Sequence, residues 1–115
     1  FVVLGTMNIR PPKRTPVVRM ELTKTKDGWR AQSEHTVNGE ELRLTTYVHG
    51  GIPKTSCERK HTKGAFKDRW TWEYPHLFGY MLDLSVKATK RTIRLAHEAA
   101  IERMNKVLGA VLLEQ

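Results

Sequence analysis

The sequence has only one cysteine, Cys57, among its 115 residues. A single thiol cannot form a disulfide bond within the chain, so noncovalent packing must hold the fold together. Because unpaired thiols are typical of reducing compartments, we expect a cytoplasmic protein. Long apolar runs are also lacking, since no stretch approaches the roughly 20 residues of a membrane-spanning helix. These shortages exclude a disulfide-stabilised scaffold and a transmembrane protein.

Acidic residues are few relative to basic ones. The chain has 12 Asp and Glu against 20 Lys and Arg, which gives a formal net charge of +8. A surplus of this size in a small domain favours an anionic partner, with nucleic acid first and an acidic membrane surface second. A soluble protein that is basic without such a partner is the alternative. We expect the partner to be nucleic acid, either DNA or RNA, and not a membrane.

Motifs for catalysis or cofactor binding are scarce. Gly50-Gly51 lacks the helix and lysine that follow a phosphate-binding glycine loop. Cys57 is close to Arg59 and Lys60, which could lower the pKa of its thiol, but no general base accompanies it. Four further residues could be combined into a metal-dependent nuclease site, although no motif spacing links them: Asp68, Glu73, His61 and His76. An enzyme is therefore the less favoured class, and we expect no catalytic residues and no cofactor.

One candidate metal-binding set is present, and it consists of His49, Cys57 and His61. Structural zinc sites use four ligands, usually in closely spaced pairs. Cys57 and His61 are separated by three residues, and a fourth ligand could come only from His35, His76 or an acid that the fold brings near. We therefore expect no metal site. The alternative to a metal site is a surface loop with a free thiol.

Alternating apolar and polar residues indicate a β-meander that begins at Val17. The second and third strands are expected at about residues 29–37 and 41–49. Asp27-Gly28 and Asn38-Gly39 separate the strands, and each pair can supply the positive φ angles of a type I′ hairpin turn. The glycines and proline of residues 50–53 should then break the sheet.

Two segments outside these strands are basic. Residues 1–16 are predicted to form a flexible arm, because three prolines between residues 7 and 16 exclude a helix. Residues 1–6 precede Met7, a candidate start, and could remain from an upstream fusion. Residues 54–64 contain four bases and are either a basic loop or the outer arm of a hairpin that turns at Lys63-Gly64. Both segments are candidates for contacting phosphates.

The segment Ala65–Tyr74 alternates with period two, as a strand with an aromatic face and a charged face does. The aromatic face contains Phe66, Asp68, Trp70, Trp72 and Tyr74, and the charged face contains Lys67, Arg69, Thr71 and Glu73. Such a row of aromatic residues is either the wall of a core or a platform on which nucleic-acid bases stack. We favour the core for Trp70 and Trp72, which leaves Lys67 and Arg69 to contact a ligand.

A long C-terminal helix is predicted from Ser85, a candidate N-cap, to about Leu113. Pro75 should end the aromatic strand, and residues 76–84 fit either a short helix or an extra strand. The helix has a continuous apolar stripe that should pack on the sheet. The stripe consists of Val86, Thr89, Ile93, Ala96, Ala100, Met104, Val107 and Val111, and it is widened by Ile101 and Leu108.

Two further surfaces are expected on this helix. Lys87, Lys90, Arg91 and Arg94 form a basic stripe that borders the apolar one. From Met104 onward, the apolar surface of the helix is wider than one sheet face is expected to cover. Surplus apolar surface on a helix commonly closes a symmetric dimer, and a fuller core within one chain is the alternative.

Two resemblances in architecture accompany these patterns, although no family is identified that covers the chain. Strands followed by a long C-terminal helix are similar to the Whirly and positive-cofactor-four types of single-strand binders. The segment Asp27-Gly28-Trp29-Arg30 resembles the three-stranded DNA-binding module of some integrases. Both resemblances imply nucleic-acid binding, and neither assigns a role to an individual residue.

The sequence therefore predicts one α+β domain over residues 17–115. It should contain an antiparallel meander of about four strands, packed against one long C-terminal helix. The predicted function is non-catalytic binding of nucleic acid, with single-stranded or flexible forms preferred, and the alternative is a small dimeric adaptor or inhibitor that binds an acidic protein surface. The predicted contacts are Arg19, Arg30, Arg43, Lys67 and Arg69 on the sheet, Tyr47 beside them, Lys54, Arg59 and Lys60 in the loop, and Lys87 and Arg91 on the helix.

Overall fold

The computed structural model describes residues 20–113, with side chains as far as Gly109. Arg19 and the predicted N-terminal arm lie outside these residues. Within them the strands are β1 (Glu21–Thr25), β2 (Gly28–Val37), β3 (Glu40–His49), β4 (Ile52–Lys60) and β5 (Trp70–Trp72), and the helix is α1 (Lys90–Leu113). The strand order β1-β2-β3-β4-β5 is that of an antiparallel meander. The predicted α+β fold is confirmed.

The turns explain why the described sheet has five strands. Asn38 and Gly39 have φ angles of 53° and 86°, as predicted for the β2–β3 turn. Gly50 and Gly51, at 62° and 78°, make a second tight turn, which allows Ile52 to pair with His49. The prediction that residues 50–53 break the sheet was therefore wrong. Residues 52–60 instead form β4, the outer arm of a hairpin that the sequence left as an alternative.

The helix begins later than predicted. Thr89, not Ser85, is the N-cap, because its Oγ1 accepts a hydrogen bond of 3.2 Å from the backbone N–H of Thr92. The Thr89 N–H in turn donates to Oγ1 of Thr92 at 2.7 Å, which completes a reciprocal capping box. Ser85 instead donates to the Asp83 carboxylate within a turn. Residues 73–89 contain neither the short helix nor the extra strand that was expected before the long helix.

The core lies between α1 and one face of the sheet. The buried helix residues Ile93, Ala96, Ala100, Met104 and Leu108 all belong to the predicted stripe. Ala100, Met104 and Leu108 form one buried cluster with Leu42, Leu44 and Cys57 of the sheet. The irregular segment after β5 covers one side of this cluster with Tyr74, Leu77, Phe78 and Met81.

A chain of polar side chains crosses this core. His97 of α1 is fully buried, and its Nε2 and Nδ1 lie 2.7 Å from Ser33 Oγ and 2.8 Å from Thr46 Oγ1. The chain extends from Ser33 to His35 Nε2 at 2.7 Å and from Thr46 to Thr55 Oγ1 at 2.6 Å. Burial, followed by repulsion from His35, lowers the pKa of His97 to about 4. His97 is therefore a neutral part of the core at ordinary pH.

No helix within residues 20–113 combines the length and the apolar character needed to cross a membrane.

Candidate nucleic-acid interface

The sheet face opposite α1 carries most of the predicted contacts that lie on described strands, namely Arg30, Arg43, Tyr47, Lys54 and Lys60. Directly paired residues of neighbouring strands project from the same face. Glu34, Arg43, Glu58 and Trp72 are paired in this way across β2, β3, β4 and β5, so they form one row of the open face. Lys60 and Trp70 are paired one row further along.

The two tryptophans of β5 lie on this open face. Trp72 has 78% of its surface exposed, so the prediction that it belongs to the core was wrong. Trp70 is half-buried, and the guanidinium carbon of Arg43 lies over its ring at 4.3 Å from the centroid. Because β5 is only three residues long, the strand alternation expected over residues 65–74 is found only at residues 70–72. Tyr74, beyond the strand, packs against the core instead.

Arg43 is a positioned cation with two partners on the face. Its Nε and Nη2 donate to the same Glu58 oxygen at 2.9 Å and 2.7 Å, while the guanidinium covers Trp70. A guanidinium held this way is less available to a phosphate than the sequence suggested. Its main effect is to order the surface around Trp70.

The strand residues of the open face are balanced in charge. Alternation and pairing place Glu21, Glu34, Glu41 and Glu58 there, together with Arg30, Arg43, Lys54 and Lys60. The predicted basic sheet face is therefore not net positive over the described strands. The sequence concealed this because the acidic and basic residues come from different strands, and only the strand pairing brings them to one face, as it does for Arg43 and Glu58.

The net positive charge at this end of the sheet belongs to the β4–β5 loop, residues 61–69. Lys63, Lys67 and Arg69 are exposed there, so Lys67 and Arg69 lie in a loop and not on a strand as predicted. The loop is closed by backbone hydrogen bonds from the His61 N–H to the Arg69 carbonyl at 3.0 Å and from the Asp68 N–H to the His61 carbonyl at 2.8 Å. The loop that carries these cations therefore returns to the sheet directly before Trp70.

Arg59 is not part of the open face. It pairs with Leu42, a buried residue of the covered face, and its Nε donates to Glu73 at 2.9 Å. Cys57 lies on the same covered face and is also buried. Burial, and then the charges of Glu73 and Glu58, raise the pKa of the Cys57 thiol to about 12. The lowering of this pKa that its basic sequence neighbours suggested does not occur.

A second aromatic group lies at the opposite end of the open face. Tyr80, with 42% of its surface exposed, has the Lys54 amine 5.6 Å from its ring centroid. The His49 ring lies 6.3 Å from Tyr80 and 6.4 Å from Tyr47. Tyr47 and Lys54 were predicted contacts, but Tyr80 was missed. The only sign of Tyr80 in the sequence was an aromatic residue within a segment of ambiguous secondary structure. Tyr80 reaches the open face because its segment runs beside β4.

The predicted helix contacts lie on the other side of the sheet. The Lys90 amine is 4.8 Å from the ring centroid of Trp29, which shares the covered side with Ala31. Lys87, three residues before α1, and Arg91, in its first turn, are both exposed. They therefore do not join Trp70 and Trp72 in one continuous surface.

The chemistry available on the open face is stacking, hydrogen bonding and charge attraction. Within residues 20–113 no three His, Cys, Asp or Glu side chains are close enough to hold a metal ion, so His49, Cys57 and His61 are not brought together. No family model, curated protein or solved structure matches the chain.

Proposed function

We propose that the protein binds single-stranded nucleic acid on the open face of its sheet, with Trp72 as the principal stacking residue. The observation that carries the proposal is the 78% exposure of this side chain on a sheet strand. An exposed tryptophan beside a second tryptophan forms an apolar surface that water solvates poorly and that the flat face of a base covers well. The ordered guanidinium of Arg43 holds Trp70 in place next to it.

Phosphate contacts come from the cations around the tryptophans. Lys60, Lys63, Lys67 and Arg69 flank the β5 end of the sheet. The ion pairs within residues 20–113 are Arg43–Glu58, Arg59–Glu73 and Arg94–Glu98, and these four cations take no part in them. Their charges are therefore available to the backbone of a bound strand.

A single strand fits this surface better than a duplex. Base pairing hides the flat faces of the bases, so Trp72 can stack only on a base that is free. The balanced charge of the strand residues also limits attraction to a dense double row of phosphates. Both DNA and RNA have the required bases and phosphates. The protein is then a non-catalytic binding module, and we place it in the cytoplasm because its one buried thiol needs no oxidising compartment.

The test is a titration of fluorescently labelled oligothymidylate, oligouridylate and a matched duplex with the protein at several salt concentrations. Four phosphate contacts predict a slope of about −3 for log affinity against log salt, from a coefficient of roughly 0.7 per contact with a single strand. Trp72→Ala should weaken binding by about 1–3 kcal/mol, the value of one base–aromatic stack. Absence of binding to all three ligands at low salt would falsify the proposal.

Phe66→Ala is the matched control for the loss of an exposed aromatic side chain. Phe66 has 53% of its surface exposed, but its ring lies 5.8 Å from that of His61, whose Nε2 bonds Thr71 on the other side of β5 from the tryptophans. This variant should bind nearly as well as the original protein. Equal losses in the two variants would show that Trp72 has no special role.

A second candidate is a small adaptor or inhibitor that binds a protein surface, because Trp, Tyr and Arg on a charge-balanced face are also typical of protein interfaces. A homodimer through the C-terminal part of α1 belongs to this alternative. Val107 is half-buried in the single chain. Sedimentation tests the dimer, and a partner recovered in a pull-down without any affinity for nucleic acid would favour the adaptor.

A further inference from the structure

Tyr80 is held at the outer side of β4 by the backbone. The Thr55 N–H of β4 donates to the carbonyl of Gly79, the residue before Tyr80, at 2.7 Å. The contacts of the Tyr80 ring with Lys54 and His49 place it at the end of the open face away from Trp72. An exposed aromatic ring thus lies toward each end of the same strand edge.

A cation lies at each of the two aromatic ends. Lys54 lies over Tyr80, and Lys60 is paired with Trp70, two residues before Trp72 on the same face of β5. This repeats the combination that one nucleotide requires, which is a flat surface for the base and a positive charge for the phosphate. A repeated pairing of this kind distinguishes the two ends from the middle of the face.

The middle of the face is low and polar. Gln32, Thr45 and Ser56 are the paired residues there, and the Gln32 amide donates to Thr45 Oγ1 at 3.1 Å. These short side chains leave room between the two aromatic ends. Their amide and hydroxyl groups can donate to and accept from the edges of bases.

We propose that Trp72 and Tyr80 are two stacking positions of one binding track, which runs along β4 and takes a single strand of about five nucleotides. This inference rests on the proposed function. Trp72 pairs with Glu58, and Tyr80 lies beside Lys54, four residues away on β4. At about 3.3 Å per strand residue the separation is roughly 13 Å, or about four steps at the 3.4 Å spacing of a stacked strand, so about five nucleotides reach both rings.

The first experiment measures the affinity of the original protein for oligothymidylates of two to eight nucleotides. Affinity should rise steeply until the strand is long enough to reach both rings, at about five nucleotides, and only gradually beyond that. A uniform gain with each added nucleotide would contradict two separate positions. Failure to bind even the eight-nucleotide strand would overturn the proposed function itself.

The second experiment compares Tyr80→Ala with Tyr80→Phe. Removing the ring should weaken binding of the eight-nucleotide strand roughly 5- to 150-fold, the range for loss of one stack, and should leave the two-nucleotide affinity unchanged. Tyr80→Phe keeps the ring and should bind as the original protein does. If Trp72→Ala weakens binding but Tyr80→Ala does not, the track is wrong and the proposed function stands. Equal losses in Tyr80→Ala and Tyr80→Phe would assign the contact to the hydroxyl and also overturn the stacking role.

Discussion

The guanidinium carbon of Arg43 lies 4.3 Å from the centroid of the Trp70 ring, while the same guanidinium donates twice to Glu58. This arrangement joins three neighbouring strands, because the three residues belong to β3, β5 and β4. It connects the shortest strand of the described sheet to its centre through side chains as well as through the backbone.

Arg43→Ala should lower the free energy of unfolding by about 1–3 kcal/mol, through loss of a charged hydrogen-bonded pair and a cation–π contact. Arg30→Ala is the control, because Arg30 is exposed on the same face without an ion pair within residues 20–113. It should change stability by less than about 0.5 kcal/mol. Urea denaturation measures both variants, and equal effects would mean that the partners of Arg43 contribute nothing.

His97 should make the protein sensitive to acid. Its pKa is lowered in the folded state from 6.5 to about 4, so the unfolded chain takes up a proton at a higher pH than the folded one does. Well above pH 6.5 the imidazole is neutral in both states and contributes nothing to the pH dependence of stability. As the pH falls from 6.5 to 4, the free energy of unfolding should decrease by about 3 kcal/mol in total.

The measurement is urea denaturation as a function of pH with His97→Gln, which keeps polar atoms in the core but cannot titrate. This variant should be less stable at neutral pH and should show a smaller decrease between pH 6.5 and 4. His76→Gln is the matched control, since His76 is exposed. An unchanged pH profile in His97→Gln would refute the assignment.

Gly28 should be the glycine of the described turns that is most sensitive to substitution. Its φ is +134°, and a Cβ added there would lie 2.8 Å from Val48 Cγ2. Gly28→Ala should therefore destabilise the fold by about 1–3 kcal/mol, since it combines backbone strain with a close contact. At Gly39, with a φ of +86°, an added Cβ meets no atom within 4 Å. Gly39→Ala tests strain alone, and thermal unfolding should show the smaller loss for it.

Thr89→Ala should cost about 1 kcal/mol of stability, because it removes the cap of α1. Ser85→Ala should cost less, since Ser85 bonds only within an exposed turn. Chemical denaturation of the two variants distinguishes the two possible starts of the helix. A larger loss for Ser85→Ala would restore the start that the sequence predicted.

Local patterns were sufficient to predict the architecture. The positive φ angles of Asn38 and Gly39, and the burial of Ile93, Ala100 and Met104, follow from turn chemistry and helical spacing alone. The helix start was misplaced because Ser85 and Thr89 are both suitable caps. Only the reciprocal bonds between Thr89 and Thr92 decide between them.

The candidate site was harder to predict, because it depends on pairing between distant residues. Alternation shows that Trp70 and Trp72 share a face, but the register with Lys60 and Glu58 decides which face it is. That register follows from the closed loop of residues 61–69. The segment after β5 packs against the core in the place that the two tryptophans were expected to occupy.

The hydrogen-bonded chain through the core links the tautomers of two histidines. Ser33 has one hydroxyl proton and lies between His35 Nε2 and His97 Nε2. If Ser33 donates to His97, then His35 must carry its proton on Nε2 and His97 must carry its own on Nδ1, facing Thr46. If Ser33 donates to His35, then His35 carries its proton on Nδ1 and His97 carries its own on Nε2. With both rings neutral, the nitrogen that is protonated in half-buried His35 therefore determines the nitrogen that is protonated in fully buried His97. Ser33→Ala would remove this link between the two rings.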